Sequence, residues 1–369
     1  MKPYDVAAYI WPSYHYEPRL EHWWPEKDGE WYTVRRANAR WPGHDMPKHP
    51  LLGFQDEASP DVMRQHVQLA LDHAVNVFIV DWYWYDGGPC FERQLNDGIM
   101  PAVEGTDMRF CLMWANHDAT SLWNMHTDDN DVLYSAGVDR AEFEKIWRRN
   151  IEKYFKHPNY YCIDGKPVLS IFLVPRLIAD LGGVEEALAA FAWLQAAAQE
   201  AGLPGVHLQA IHWQTVPHEV GPNADRLKGL EITDIINGCQ FDSCTNYQMV
   251  QCAPGWGDYA QWAAEAMRWW DKSDEDMPCF FPHVSIGWDN THRNPGEDKG
   301  VTNRNPWTFE ASLHRAKAFL DARPERTPLV TVNSWNEWTE DSYLLPDVRW
   351  GYQYLEAVKK VFSKGEAGS

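Results

Sequence analysis

The fold of this chain is indicated first by a stretch near its C-terminus, Thr327-Pro-Leu-Val-Thr-Val-Asn-Ser-Trp-Asn-Glu-Trp-Thr-Glu-Asp341. Leu329 to Val332 is a short apolar, β-branched run after a proline, which predicts a buried strand. From Asn333 onward the chain turns polar and aromatic. Parallel β/α proteins carry their functional side chains where strands end. The stretch therefore predicts the last strand of such a fold, with a site at its end.

Two glutamates, Glu337 and Glu340, follow this strand beside Trp335 and Trp338. Neighbouring carboxyl groups do not ionise together easily, so one tends to keep its proton while the other is charged. Such a pair supplies one acid and one base, and we expect the two tryptophans to form the apolar wall that raises the pKa of the acid. The alternative interpretation is a strand end with two solvated glutamates, because glutamate is common on surfaces.

The rest of the chain alternates apolar runs with helical patterns. Seven further strands are predicted, at 6–10, 76–85, 109–116, 168–173, 206–213, 234–239 and 280–287. Helices are predicted from Ser59-Pro60 onward and at 91–103, 139–155, 184–201, 258–271, 307–321 and 351–362. This alternation predicts an α/β protein, a single (β/α)8 TIM barrel over residues 1–369. The connection 11–59 is too long for an ordinary loop, so we expect it to contribute to the cleft.

Aromatic and polar residues mark the ends of the predicted strands, and in a barrel these ends meet at one rim. Asp81 is expected either to hydrogen-bond a substrate hydroxyl or to orient a glutamate, or else to be an ordinary loop acid. His207 and His212 face opposite sides of one strand, which leaves His212 at the mouth. The predicted substrate-binding residues are Tyr9, Trp11, Tyr14, Asp81, Trp82, Tyr83, Asn116, His117, His212, Trp213, Tyr247, Trp288, Asp289, Asn333 and Trp335.

Composition narrows the classes of function. The net charge of -20 disfavours nucleic acid and anionic membrane surfaces as partners. The 21 tryptophans exceed what a core needs and suggest a cleft that handles carbohydrate. The 7 cysteines form no CxxC pair, which disfavours a disulfide framework and a thiolate zinc site. We expect a carbohydrate partner, no metal and no cofactor, while the oligomeric state stays open.

The first residues, Met1-Lys-Pro-Tyr-Asp-Val-Ala-Ala-Tyr9, contain no apolar signal core, and no apolar run reaches the length of a membrane span. The expectation is a cytoplasmic protein without membrane insertion. A periplasmic or secreted protein whose signal peptide had been removed would show the same sequence pattern.

Several motifs, taken together and in order, resemble the WbsX-like proteins, which are relatives of the glycoside hydrolase family 99 endo-α-mannosidases. The resemblance covers nearly the whole chain. Its motifs are Tyr9-Ile-Trp-Pro-Ser-Tyr14, Phe78-Ile-Val-Asp-Trp-Tyr-Trp84, Leu112-Met-Trp-Ala-Asn116, Tyr154-Phe-Lys-His-Pro-Asn-Tyr-Tyr-Cys-Ile-Asp-Gly-Lys-Pro167, Gly287-Trp-Asp-Asn-Thr291, Asn333-Ser-Trp-Asn-Glu-Trp-Thr-Glu340 and Leu345-Pro-Asp347.

The resemblance implies a retaining glycoside hydrolase, endo-acting on an α-linked, mannose-like polysaccharide or oligosaccharide. Glu337 would be the base that takes the proton of the sugar's own 2-hydroxyl, giving a 1,2-anhydro sugar. Glu340 would be the general acid that protonates the leaving oxygen and later activates water. A glutamate pair three positions apart also suits a covalent glycosyl-enzyme route, so the spacing does not choose between the two routes.

Two positions depart from the family pattern. Relatives continue Asn-Glu-Asn-Trp after the third strand, where this chain has Asn116-His117-Asp118-Ala119, and they have Gly after the second glutamate, where this chain has Asp341. The first departure predicts a different sugar pocket. Asp341 either shifts the pKa values of the pair or faces solvent. The alternative functions are a glycosyltransferase of cell-surface polysaccharide biosynthesis, for which Asp129-Asn-Asp131 is the nearest metal signature, and a carbohydrate-binding protein without activity.

Overall fold

A computed structural model of the chain describes residues 3–127, 129–214 and 221–363, except the side chain of Leu122. In this part of the chain, eight parallel strands form the barrel that the alternating pattern predicts, in the order β6-β5-β4-β3-β2-β1-β8-β7. The ring closes where Cys244 bridges Phe280 between β6 and β7. The strands are β1 (Asp5–Ile10), β2 (Val77–Tyr85), β3 (Arg109–Trp114), β4 (Lys166–Ile171), β5 (His207–Ile211), β6 (Ser243–Thr245), β7 (His283–Ser285) and β8 (Leu329–Asn333).

Helices surround the barrel and cover the outer face of its strands. Strands buried on both faces read as continuous apolar runs, and β2 is buried along its whole length. The helices are α1 (Trp31–Arg36), α2 (Pro60–Asp72), α3 (Met100–Val103), α4 (Arg140–Asn150), α5 (Val174–Leu181), α6 (Val184–Glu200), α7 (Ile232–Gly238), α8 (Tyr259–Met267), α9 (Trp269–Asp276), α10 (Pro306–Asp321) and α11 (Gln353–Phe362). The turns Gln94–Ile99 and Ile151–Phe155 are π-helical.

The sixth predicted strand, 234–239, is wrong. Residues 234–238 belong to α7 and Cys239 is its C-cap, while the side chains of Glu231 and Asp234 form a capping box at the start of this helix. A short apolar run does not by itself distinguish a buried strand from a buried helix, and the cap decides for the helix. The true strand, β6, pairs with β5 from Gln209 to Ile211. Tyr247 still follows the sixth strand, so its predicted position at the rim is unaffected.

Smaller differences lie in the helical layer. The helix predicted at 258–271 is divided at Arg268 into α8 and α9. The helix predicted at 139–155 is α-helical only to Asn150 and continues as the π-helical turn. Helix α5 was not predicted from the sequence. Within the residues that the structure describes, no helix is both long enough and apolar enough to span a membrane.

Candidate active site

A pocket of about 280 Å³ opens at the C-terminal end of the barrel strands. Side chains from several strand ends line it, as the fold leads one to expect. Among the predicted site residues, those lining it are Trp11, Asp81, Tyr83, His117, Trp213, Tyr247, Trp288, Glu337 and Glu340. The lining also contains Trp123, Phe172, Asn290 and Arg293, which were not among the predicted site residues.

A single guanidinium joins the two glutamates. Arg293 Nη2 donates to Glu337 Oε1 at 3.0 Å, and Arg293 Nη1 donates to Glu340 Oε1 at 2.9 Å. All three side chains are almost completely buried. A planar guanidinium presents several donors in fixed directions, which a lysine does not. Arg293 therefore fixes one oxygen of each glutamate and does not bond the other.

Glu30, from the long first loop, holds Arg293 in place. Its two carboxylate oxygens accept from Arg293 Nε at 2.6 Å and Nη2 at 3.1 Å. Oε2 of Glu30 also accepts from Trp11 Nε1 at 2.6 Å and Thr339 Oγ1 at 3.0 Å. Burial alone would raise the pKa of Glu30, but Arg293 and these donors outweigh it and hold the pKa below its usual range. Glu30 is thus an ionised counterion for the guanidinium.

The two glutamates differ in what surrounds their second oxygen. Glu337 Oε2 accepts from the Tyr247 hydroxyl at 2.7 Å. Glu340 Oε2 is buried and has no hydrogen-bond partner among the described residues. Burial and then the charge of Glu337 raise the pKa of Glu340 well above its ordinary value. Burial also raises the pKa of Glu337, although Arg293 and Tyr247 oppose this. The environment therefore favours Glu340 as the protonated acid and Glu337 as the ionised partner.

Strand β2 places two of its side chains in the pocket and one outside it. Successive side chains of a strand point to opposite faces. Asp81 and Tyr83 line the pocket, and Asp81 Oδ2 lies 3.0 Å from the Tyr247 hydroxyl. Trp82 points outward to the helices, where its Nε1 donates to Glu92 at 2.8 Å. Trp82, a predicted substrate contact, therefore lies outside the pocket lining, because alternation turns it away from the pocket.

Three other predicted contacts also lie outside the lining because strand alternation or tight pairing turns them away. His212 packs toward α9, its Nδ1 lying 3.5 Å from Ser273 Oγ, while its neighbour Trp213 takes the pocket position. Asn116 exchanges two hydrogen bonds with the backbone of Leu173 and so fixes a strand end. Asp289 lies on the far side of the wall, with Oδ2 2.6 Å from His44 Nε2.

The remaining predicted contacts support the pocket from below or behind. Tyr9 donates to the carbonyl of Asn246 at 3.0 Å, Tyr14 accepts from the backbone of Trp338 at 3.1 Å, and Asn333 accepts from Gln248 at 3.0 Å. Trp335 packs on Phe78 behind β1 and β2.

Trp335 and Trp338 do not form the expected wall around the acid. Trp335 points to α2, where its Nε1 lies 3.3 Å from His66, and Trp338 stacks on Tyr343 at 3.9 Å. The indole wall is instead made by tryptophans from other strand ends and from the loop after β3, which only the closed barrel brings together. These are Trp11, Trp123, Trp213 and Trp288.

The two departures from the family pattern have separate outcomes. His117 lies in the pocket lining, whereas Asp118, which also borders the pocket, pairs with Arg176 at 3.3 Å. Asp341 has a left-handed backbone, with φ of 53°, the conformation that glycine adopts most easily. Its side chain is buried and does not face solvent. Its carboxylate is paired with Arg304 and Lys48 rather than with either glutamate. It borders a second cavity of about 380 Å³ on the side away from the glutamates.

Arg293 and Glu30 are the main site residues that sequence reasoning missed. Arg293 lies two residues beyond the Gly287–Thr291 motif, and a basic residue there, facing an acidic rim, was the available signal. Glu30 lies within the long loop, where nothing in its neighbours marks it. Its burial follows only from the tertiary packing.

Comparison with known proteins gives a family match over most of the chain. The profile of the family described as Glycosyltransferase WbsX matches residues 6–358. Two curated relatives, each described as uncharacterized protein WxcX and found in two strains of Xanthomonas campestris pv. campestris, are 27% identical to the chain. The matched region is 98% of this chain and 50% of each relative. The chain thus spans about half the length of the curated relatives it matches.

Solved structures match over nearly the full length of the chain. The GH99 endo-alpha-mannosidase from Bacteroides thetaiotaomicron is 15% identical with a TM-score of 0.59, covering 96% of this chain and 95% of that chain. A glycoside hydrolase-like protein is 15% identical with a TM-score of 0.62, covering 98% of this chain and 94% of that chain. At these identities the likeness concerns the fold, and it confirms the barrel predicted from the sequence.

Proposed function

The chain belongs to the WbsX family, described as glycosyltransferases, and we propose that this member is a retaining glycoside hydrolase. Its substrate would be an α-linked, mannose-like polysaccharide or oligosaccharide, cleaved internally. One observation carries the proposal: Arg293 bridges Glu337 and Glu340 and leaves the buried Glu340 Oε2 without a partner among the described residues. An unpartnered, protonated carboxyl oxygen at an indole-walled pocket is suited to protonate a leaving glycosidic oxygen.

The proposed first step follows from these positions. Glu337 takes the proton of the substrate 2-hydroxyl, and the 2-oxygen attacks the anomeric carbon as the glycosidic bond breaks. Glu340 gives its proton to the leaving oxygen, which produces a 1,2-anhydro sugar and a free sugar end. In the second step Glu340 takes a proton from water and the water oxygen bonds to the anomeric carbon. The bond between the anomeric carbon and the 2-oxygen breaks, and Glu337 returns its proton to the 2-oxygen. The anomeric configuration is retained, and water is the only reagent consumed.

Support for this assignment of roles comes from the asymmetry of the pair. Glu337 accepts hydrogen bonds on both oxygens, from Arg293 and Tyr247, which stabilises its anionic form. Glu340 accepts on one oxygen only. The α-mannose-like, endo-acting specificity rests on the likeness to the Bacteroides endo-alpha-mannosidase and on the motifs of the strand ends.

The first test is a glycan screen without any nucleotide sugar, in which released reducing ends are measured for wild type and for Glu337→Gln. The expected result is release by wild type alone, with internal cleavage visible as a mixture of product sizes. Glu337→Gln keeps the side-chain shape and removes the base. Equal release by both proteins would contradict the assignment of Glu337.

The anhydro route has its own test in the substrate. It requires a free 2-hydroxyl, so a 2-deoxy or 2-O-methyl analogue of an accepted glycan is expected to resist cleavage while still binding. Efficient turnover of either analogue would favour the covalent glycosyl-enzyme route instead.

The second candidate function is sugar transfer, which the description of the family favours. A transferase would need a nucleotide-sugar or lipid-linked donor in addition to the acceptor glycan. This function would be favoured if calorimetry measured binding of a nucleotide sugar and the glycan screen showed no released reducing ends. The segment Asp129-Asn-Asp131, its nearest metal signature, lies in an exposed, irregular part of the chain.

A further inference from the structure

The contacts of Tyr247 limit where protons can be in this pocket. Its hydroxyl lies 2.7 Å from Glu337 Oε2 and 3.0 Å from Asp81 Oδ2. A phenolic hydroxyl has one hydrogen to donate, whereas an ionised carboxylate has none. Both contacts are hydrogen bonds only if one of the two carboxyl groups is protonated and donates to the tyrosine oxygen. The geometry therefore requires a proton on either Glu337 or Asp81.

The surroundings decide which carboxyl carries that proton. Glu337 receives a second hydrogen bond, from the Arg293 guanidinium at 3.0 Å, which favours its charged form. Asp81 has no cation in contact, and its Oδ1 is buried without a hydrogen-bond partner among the described residues. A buried carboxylate with one acceptor contact and no counterion would be costly. Asp81 is the group that gains by staying neutral.

We propose that Asp81 is a positioning residue held as a neutral carboxylic acid, which donates its proton to Tyr247 so that Tyr247 donates to Glu337 and keeps Glu337 in its basic form. This inference rests on the proposed role of Glu337. With the proton on Oδ2, Oδ1 of Asp81 is a carbonyl acceptor that lines the pocket. It would accept a hydrogen bond from a substrate hydroxyl and so link sugar binding to the orientation of the base.

The charges around Asp81 agree with this arrangement. Burial, and then the charge of Glu337, raise the pKa of Asp81 well above its ordinary value. The groups that face Asp81 are the carboxyl groups of Glu337 and Glu340, the guanidinium of Arg293, and the phenols of Tyr9, Tyr83 and Tyr247. The guanidinium is nearer to the glutamates, to which it is directly bonded.

The test compares Asp81→Asn with wild type in guanidinium unfolding over the range from about pH 4 to about pH 8. Asparagine imitates the neutral acid, because its amide donates to Tyr247 and its oxygen accepts. In wild type, ionisation above the ordinary Asp pKa of about 3.9 favours the unfolded chain. The unfolding midpoint of Asp81→Asn should therefore rise relative to wild type as the pH rises, and the difference should be smallest at the acidic end.

Asp289→Asn is the matched control, because Asp289 is also a buried aspartate at a strand end but is paired with His44. Burial would raise the pKa of Asp289, but the hydrogen bond from His44 outweighs it and holds the pKa far below its usual range. Its asparagine variant should lose stability toward neutral pH, the opposite sign. Asp81→Asn behaving like Asp289→Asn, or failing to fold when Asp289→Asn folds, would overturn the proposal.

Two further readouts separate this inference from the proposed function. The infrared difference spectrum of wild type minus Asp81→Asn should contain the carbonyl band of a protonated carboxylic acid, and a carboxylate band alone would overturn the inference. Once a substrate is known, Asp81→Leu should lower kcat by roughly 10²-fold through loss of orientation, and Asp81→Asn by clearly less. An equal loss in both variants would overturn it. The unfolding and infrared results hold whether or not the glycan screen succeeds.

Discussion

Replacing Glu57 with glutamine tests whether a further buried carboxyl group, next to Asn336, is neutral in the folded protein. Glu57 is fully buried, and its Oε2 accepts from Gln94 at 2.5 Å and from Asn336, the residue before Glu337, at 2.7 Å. Asn336 in turn exchanges two hydrogen bonds with the backbone of Trp11. Burial raises the pKa of Glu57 from 4.5 to about 8, although the two amide donors oppose it. Glu57 should thus be protonated in the folded protein at neutral pH.

The sign and size of the effect follow from linkage. The unfolded chain releases the Glu57 proton above the ordinary pKa of 4.5, while the folded protein keeps it until about pH 8. Rising pH therefore lowers the stability of wild type across this interval, and the glutamine variant escapes that loss. At 1.36 kcal/mol per pH unit, the relative gain of Glu57→Gln is about 3 kcal/mol at pH 7 and about 5 kcal/mol above pH 8. At low pH the variant should be about 1 kcal/mol less stable, because its second amide hydrogen is unpaired.

The assay is guanidinium unfolding of both proteins from about pH 4 to about pH 9, with Glu92→Gln as a control of opposite sign. Burial would raise the pKa of Glu92, but Arg149 and Trp82 outweigh it and lower the pKa to about 2. That variant should lose stability at neutral pH and approach wild type in acid. A difference between Glu57→Gln and wild type that does not change with pH would refute the reasoning, since the charge of Glu57 would then cost nothing on folding.

Three further predictions concern the site itself. Glu340→Gln, assayed with an activated leaving group, should lose the basic limb of the kcat/KM profile, because wild type loses activity as rising pH removes the Glu340 proton; a basic limb that persists would place the acid elsewhere. Arg293→Lys should fold but lose about 10²-fold or more in kcat, because one ammonium cannot replace the donors to the three carboxyl groups of Glu30, Glu337 and Glu340. Unchanged kcat would contradict the bridging role. Asp341→Gly suits the left-handed backbone but removes the buried partner of Arg304, so the free energy of unfolding should fall by about 3 kcal/mol while the pH profile of activity stays the same; an altered profile would show that Asp341 acts on the pair.

The barrel could be predicted from the sequence because its signals are local. Composition indicates apolar strand runs such as Phe78 to Val80 and the eighth strand at Leu329 to Val332. Periodicity and caps indicate most of the helices. The sixth strand failed for the same reason that the others succeeded, since Ile232 to Ile236 is apolar enough for either element and only its capping box favours the helix.

The pocket could be predicted only in outline. Strand order indicates which residues reach the rim, and Trp11, Tyr247 and the two glutamates do line the pocket there. Strand alternation was available for Trp82 and would have excluded it. Neighbours in sequence misled at Trp335 and Trp338. Trp335 packs on Phe78, and Trp338, which begins the short 3-10 turn after Glu337, stacks on Tyr343.

The sequence could not predict which charged side chains lie next to one another in the folded site. Glu30 lies 263 residues before Arg293, and Glu337 lies 44 residues after it, yet two carboxylates and one guanidinium meet within hydrogen-bonding distance. With Glu30 and Glu337 ionised, Arg293 can neutralise only one of them, so any further negative charge in this buried space would be poorly compensated. Protonation of Glu340 and Asp81 removes that further charge. The proton needed for the leaving group and the proton that orients the base would then have one origin, a buried cluster with more carboxyl groups than cations.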